Sequence, residues 1–368
     1  MAHDLTPVER DRLREQQVRY TQPGLWVQIA LVVALILTPM VVSSFRVMDV
    51  LVKIMIFTVA VASYDLLLGY TGIFSLAHGM FFGIGAYSLG LVIHHSGTPH
   101  WYHLILAVAI AGALSISLSL VITFFSLRVK AIFFTMMTLA LAEFADILAT
   151  TWYDLTLAET GVSFSLPGIL RVDWSAGKFL AAEVNGRLMT YYLILFAAVL
   201  LFVGLRRFVR SPVGCVLKSL RDNQQRSTAL GYKTLRYQVL STVFGSTIAS
   251  FAGILFAMWL RFVNPSSVLS INPLMLYILL MLIIGGMGTL YGAIIGAAFV
   301  MIAQTWLPDL QKVGAALFPD VNIAQRLIER WELYFGILFI LVVFFFPKGI
   351  VGTARRMLAQ RKPTMVKG

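Results

Sequence analysis

Long apolar runs separated by short polar breaks make up most of this chain. Runs near bilayer length, about 20 residues within a range of about 17–25, fall at 25–42, 47–70, 73–93, 103–127, 131–151, 190–206, 238–260, 272–286, 290–306 and 332–346. The pattern predicts an all-α polytopic membrane protein with about ten transmembrane helices in one domain over 25–346. Trp26, Trp101, Trp152, Tyr191, Tyr192, Trp259 and Trp306 stand at or near run ends. That is the headgroup level, where amphipathic aromatics settle.

One polar interruption differs from the rest. Arg206 to Tyr237 carries eight Lys/Arg and one acid between long apolar runs. It has to lie outside the hydrocarbon, and Lys and Arg near spans are retained on the cytoplasmic side. The loop 207–237 is therefore assigned to the cytoplasm. Ten spans put the segment 1–24, this loop and the basic tail 347–368 on that same side. Reading 274–304 as a single span would separate the loop from the tail, so the two-piece reading holds, broken at Gly285, Gly286, Gly288 and Gly292. Both termini are then cytoplasmic. The outer loops 152–189 and 307–331 mix charges and are expected to be partly structured, as surface helices where a partner lands. Arg46 and Lys53 run against the charge rule on the first outer turn.

Composition agrees with the pattern: 59% hydrophobic, 12% charged, mean hydropathy +0.83. So few charges cannot cover a globular surface. The net charge of +12 is confined to the ends of apolar segments, which reads as membrane orientation and argues against nucleic acid. The single Cys215 excludes an intramolecular disulfide and a thiolate metal cluster. No small-residue cleavage pattern follows the run 25–42, so it is expected to be a retained first span.

Two glycine-rich segments interrupt the apolar runs. The first joins Gly69, Tyr70, Gly72, Ser75, His78, Phe81, Phe82, Gly83 and Tyr87; the second joins Gly285, Gly286, Gly288, Thr289 and Gly292. Glycine permits close helix approach and non-helical backbone. At membrane depth such backbone survives only under protein or beside a watery cavity. Clusters at span junctions point to broken or re-entrant elements beside a pathway. Asp65, Glu143 and Asp146 lie inside apolar runs, and an acid there faces the bundle interior, a cavity or a partner. His78 has no second ligand at metal spacing and reads as a packed or capping imidazole.

Inside the basic loop, Ser211-Pro212 reads as an N-cap with proline at N1. Val213, Val216, Leu217 and Leu220 repeat at helical spacing, and Gly231 is placed as the C′ stop. This predicts a capped amphipathic helix that either lies on the inner leaflet or docks a soluble partner. No G-x-x-x-x-G-K-[ST] loop, His-Glu-x-x-His or G-x-S-x-G occurs. If transport here uses ATP, another chain must supply the ATPase.

Four segments carry a resemblance: Asp65–Tyr87, Phe133–Phe144, the SPVGCVLKSLRDNQQRSTALGY run from Ser211, and Asn264–Ala298. Together they resemble, over about residues 60–300 and in the same order, the second permease type of ABC importers for branched-chain amino acids. The resemblance implies a second homologous permease subunit, two cytoplasmic ATPase subunits that bind ATP and Mg, and a periplasmic or extracellular substrate-binding protein. It implies no cofactor in this chain and a multi-pass place in the inner (plasma) membrane. Around Ala229, Leu230 and Gly231 it implies the coupling loop, with Leu217, Leu220, Arg221, Asp222 and Arg226 alongside. The family usually has Asn where this chain has Asp65, and Gly-Gly near Glu159-Thr-Gly161. A urea-importing sister branch shares the first glycine segment but has Arg where this chain has Met287.

The expected activity is therefore transport of a small, largely apolar amino acid. Ser75, Phe81, Phe82 and Tyr87 would offer aromatic and hydroxyl surface, and the three acids could meet an ammonium group. Two alternatives stand at this point: import of urea or short amides, and ion-driven transport with Asp65, Glu143 or Asp146 as the relay.

Overall fold

A computed structural model describes residues 30–41, 44–126, 131–171, 174–179, 182–317, 331–346 and 349–353. The segments 1–24 and 128–130, most of the tail 347–368 and much of the outer loop 307–331 lie outside the described residues. The helices are α1 (Ala30–Val41), α2 (Phe45–Asp65), α3 (His78–Ser96), α4 (Trp101–Ser126), α5 (Ala131–Thr151) and α6 (Gly186–Arg210). They continue with α7 (Pro212–Asp222), α8 (Gln224–Ala229), α9 (Thr234–Leu260), α10 (Leu276–Gly285), α11 (Leu290–Leu317) and α12 (Trp331–Phe345). Eight helical stretches of the described residues are long and apolar enough to cross a membrane, and the shorter α1 and the glycine-rich α3 complete the bundle. The chain is a multi-pass α-helical membrane protein.

Helix ends differ from the apolar runs for identifiable reasons. The run 190–206 is a helix to Arg210, because Arg206, Arg207 and Arg210 continue the turn while their heads reach water. With α9 starting at Thr234, the segment between α6 and α9 spans 211–233, shorter than the loop 207–237 read from the sequence. The run 73–93 becomes helical only at His78, and 290–306 extends through Pro308 to Leu317.

The core is α2, α3 and α9, whose side chains are mostly buried, whereas α4, α5 and α12 are mostly exposed. Small residues set how closely these helices approach. Gly85 of α3 lies against the Ser250 carbonyl of α9, and Gly253 of α9 lies against the Phe82 carbonyl of α3. A Cβ at either position would overlap the opposing backbone. Above them Phe82 packs with Phe57 and Phe256, ring centroids 6.1 and 5.4 Å away.

Two stretches inside the bundle are not regular helix. After α2 the chain makes a π-turn over Leu66–Thr71, turns at Gly72 (φ 78°) and runs without regular structure to the start of α3 at His78. The His78 Nε2 sits 2.9 Å from the Ser63 hydroxyl, so residues 72–77 climb back beside the last two turns of α2. Non-helical backbone at that depth needs partners: the Ile73 N–H reaches the Leu67 carbonyl at 2.9 Å, and α5 supplies others. The Thr135 hydroxyl donates to the Phe74 carbonyl at 3.1 Å, and the Thr138 hydroxyl accepts the Leu76 N–H at 3.2 Å. The second break precedes α10: a short turn of helix at Pro265–Val268, then a π-turn at Ile271–Met275. Gly83 and Gly79 of α3 face it, against Leu269 and Met275.

The segment 152–189, expected to carry surface helices, carries short strands instead. β1 (Val162–Ser163) pairs antiparallel with β4 (Phe262–Val263), and β2 (Ser175–Phe179) with β3 (Ala182–Asn185). Hairpin bonds satisfy backbone in loops too interrupted by glycine and proline to propagate a helix. The two bases that run against the charge rule are neutralised locally. Arg46 pairs with Asp309, and Lys53 with Asp49 at 2.8 Å, the latter carboxylate also accepting the Trp259 indole N–H at 2.7 Å.

Removing the Thr138 hydroxyl leaves the Leu76 N–H without a partner in a place water does not reach, at a cost of about 1–3 kcal/mol. Thr138→Val should lower the thermal midpoint of the detergent-solubilised protein, and Thr138→Ser should spare it. Equal midpoints for the two variants would show that the break is held otherwise.

Candidate functional site

Asp65 closes α2 one turn above Gly69, and this spacing decides the geometry. A Cβ at Gly69 would overlap the Asp65 carboxylate and the Gly288 nitrogen. With hydrogen there, the carboxylate folds over the helix end and its Oδ1 accepts the Gly288 N–H at 2.7 Å. Oδ2 is buried without a hydrogen bond among the described residues. The turn that presents Gly288 links α10 to α11. It needs Gly286 at φ 107° and Gly288 at φ 79°, conformations that side chains reject. Thr289 fastens the turn, its hydroxyl donating to the Gly286 carbonyl at 2.8 Å and its carbonyl accepting the Gly292 N–H at 2.8 Å. Gly285 lies against the Gly292 carbonyl, and Gly349, beyond α12, lies on the Gly286 backbone. The two glycine segments therefore meet in one joint.

Arg221 enters this joint from the loop 211–233. Its guanidinium donates to the Gly69 carbonyl and lies against Gly288, while its aliphatic stem passes Gly72. The last carbonyls of a helix lack intrahelical donors and carry partial negative charge, so a cation there is favoured. Arg221 is also the cation whose charge acts on Asp65. Beside it the Lys218 Nζ lies 5.3 Å above the Tyr70 ring.

The loop itself is two helices. Pro212 starts α7, but Ser211 does not cap it with its side chain: the hydroxyl donates backwards to the Phe208 carbonyl at 2.7 Å. Leu217 and Leu220, expected among the coupling contacts, are buried against the bundle and anchor α7 to it. Asn223 breaks the helix in extended backbone and caps α8 by accepting the Arg226 N–H at 2.9 Å. Gly231, at φ 88°, ends α8 as expected, with its N–H on the Thr228 carbonyl and the Tyr232 N–H on that of Ser227. Asp222, Arg226, Ala229, Leu230 and Gly231 are exposed, and Leu230 is 71% accessible at the loop's tip.

The remaining predicted residues separate into packing and surface. Phe81, Phe82 and Gly83 are buried, so the aromatic pathway surface expected from Phe81 and Phe82 is absent: they fill the helix core. His78 is a buried packing residue stacked near Tyr64, centroids 5.1 Å apart. Ser75 is buried in the first break. Glu143, by contrast, is exposed on α5, and Asp146 one turn on has a buried Oδ1 without a hydrogen bond among the described residues. Tyr87 is within electrostatic range of Asp146. Tyr87 lines an apolar cavity of about 570 Å³ between α3, α4 and α5, with Phe144, Trp152 and Leu269 in its wall; Glu143 and Asp146 are not among its lining residues. Thr135, Thr138 and Gly349 went unnoticed in the sequence. Only the threonine pair left a signal, two hydroxyls at i, i+3 in an apolar run.

Residues 46–345 match the family described as the branched-chain amino acid transport system / permease component. Among curated proteins the chain is similar to the high-affinity branched-chain amino acid transport system permease protein LivM of Escherichia coli. The two are 24% identical over 313 residues, 81% of this chain and 72% of that one. A probable LivM of Methanocaldococcus jannaschii is 23% identical over 248 residues, covering 67% of this chain and 68% of its own. LivH of Escherichia coli is 22% identical over 303 residues, 78% of this chain and 89% of its own. No solved structure matches.

Asparagine at position 65 keeps an Oδ1 acceptor for the Gly288 N–H, whereas alanine removes it. Asp65→Asn should leave the thermal midpoint close to wild type, and Asp65→Ala should lower stability by about 1–3 kcal/mol. Equal loss in both would mean that the charge, and not the hydrogen bond, holds the joint.

Proposed function

Because the chain belongs to the permease family of branched-chain amino acid transport systems, we propose that it is one permease subunit of an ATP-driven importer of the inner (plasma) membrane. It forms half of a translocation pathway for branched-chain or other small hydrophobic amino acids. A second homologous permease forms the other half, two cytoplasmic ATPase subunits bind ATP and Mg, and a periplasmic or extracellular binding protein delivers the substrate.

One observation carries the coupling: Arg221 stands on the loop helix and ends on the carbonyl of Gly69. The exposed tip at Ala229, Leu230 and Gly231 meets the ATPase, while buried Leu217 and Leu220 keep α7 on the bundle. A displacement of α7 must carry the Gly69 backbone with it or break a charge-assisted bond worth about 1.5–3 kcal/mol. Gly69 is in turn tied through Asp65 to the α10–α11 turn. ATPase movement is thereby delivered to both broken elements at once.

The pathway runs along α5. An acid exposed on a spanning helix costs about 2.5–3.5 kcal/mol or more against lipid, so the Glu143 face meets the second permease and the water-filled path. The cavity beside it is almost wholly apolar and has no Lys or Arg in its wall. It suits an aliphatic side chain, with Asp146 and Glu143 available to the ammonium group and nothing to clamp the carboxylate. A conduit must release its cargo, so tight specificity belongs to the binding protein.

The test is competition for uptake by the reconstituted transporter. Leucine, isoleucine and valine should each displace labelled substrate, and urea and short amides should not. Displacement by urea alone would overturn the amino-acid reading.

A further inference from the structure

Tyr87 Oη, Asp146 Oδ1 and Asn264 Oδ1 are buried oxygens with no hydrogen bond among the described residues. Asn264 lies beyond the far end of the 27-residue α9 from the loop 211–233. It stands in extended backbone directly before Pro265, at the N-cap of the Pro265–Val268 turn, yet its side chain makes no cap bond. Asparagine there ordinarily accepts an N–H of the first turn, so this side chain is turned elsewhere. The three residues belong to elements packed on one another. Gly83, Tyr87 and Gly90 recur at i, i+4 and i+7 and share one face of α3. Gly83 lies against Val268 and Leu269, and Gly90 against Val263. The segment 263–269 therefore runs along that face, and Asn264 passes Tyr87. α5 packs on the same turn and on α3, which brings Asp146 within electrostatic range of Tyr87. The charged group that acts on Asp146 is Glu143, of like sign. Neither ion pair of the described residues includes Asp146. Asp65 differs, because Arg221 and the Gly288 N–H serve it.

We propose that Tyr87, Asp146 and Asn264 form the subsite that takes the ammonium group of the transported amino acid. Its aliphatic side chain then lies in the apolar cavity, whose wall includes Tyr87 and also Ala145 and Ala149 on either side of Asp146. This rests on the amino-acid importer reading and carries it to particular atoms. Buried oxygens without partners cost free energy, and an acid at this depth calls for a positive partner. A carboxylate, an amide carbonyl and a phenol oxygen together match the three N–H donors of an ammonium. A neutral solute such as urea would leave the Asp146 charge uncompensated, and a carboxylate would be repelled by it.

The experiment uses the assembled transporter, with both permeases and the ATPase subunits, in detergent and without the binding protein. Saturation-transfer NMR then reads weak binding to the membrane chains alone. The probes are leucine, isoamylamine, which keeps the ammonium and lacks the carboxylate, and isocaproate, which keeps the carboxylate and lacks the ammonium. Leucine and isoamylamine should displace one another, and isocaproate should displace neither. Asp146→Asn should weaken leucine and isoamylamine about tenfold, and Tyr87→Phe about fivefold. Both variants nearly preserve shape, and an unchanged thermal midpoint confirms folding. Wild-type affinity in both would leave the three oxygens to internal water and overturn the proposal. So would displacement of leucine by isocaproate but not by isoamylamine. Leucine binding that is lost when N-methylglucamine replaces sodium would assign the oxygens to an inorganic cation and equally overturn it. The importer reading stands or falls separately, on whether leucine, isoleucine and valine still compete for uptake by the wild-type transporter.

Discussion

The bond from the Gly288 N–H to the Asp65 carboxylate spans 223 residues of sequence, and the rest of the inner face is arranged around it. It sets the end of α2 against the turn between α10 and α11. Only hydrogen at Gly69 leaves room for the carboxylate, and only positive φ at Gly286 and Gly288 aims the N–H at it. A buried carboxylate also calls for a cation nearby. Arg221 supplies it while capping the open end of α2. Packing, backbone conformation and charge thus meet at one position, and each makes the next necessary.

The membrane imposes the second constraint, because every backbone group at depth needs a protein partner. Helices meet it internally. The non-helical stretch 72–77 meets it in part through Thr135 and Thr138, which explains how the bundle can contain non-helical backbone. It also fixes α5 beside the first break, and α5 is the helix that exposes Glu143. The contacts that hold α5 against the first break therefore also determine where Glu143 points.

Most of the bundle was legible in the sequence. Apolar runs located the helices. Glycine clusters marked both breaks, and the Gly231 stop was placed correctly because a Schellman end has a local signature. What was missed depends on distance. Nothing in Asp65 or Gly288 taken singly announces that they pair, since hydrogen bonds between remote residues leave no period in one sequence. Phe81 and Phe82 read as pathway surface because they adjoin glycines, yet adjacency along the chain says nothing about which face of α3 they occupy. Ser211 fits the capping pattern, but its hydroxyl had a nearer acceptor in the Phe208 carbonyl. The outer strands were too short for alternation to be visible.

The central claim is that Arg221 transmits motion of the loop helix to the glycine joint. The measurement closest to it is the number of substrate molecules imported per ATP hydrolysed by reconstituted transporter carrying Arg221→Gln, with ATPase subunits still bound. Loss of a charge-assisted bond of about 1.5–3 kcal/mol predicts a fall in that ratio of about tenfold or more, while ATP hydrolysis continues. A wild-type ratio, with uptake and hydrolysis both intact, would contradict the account.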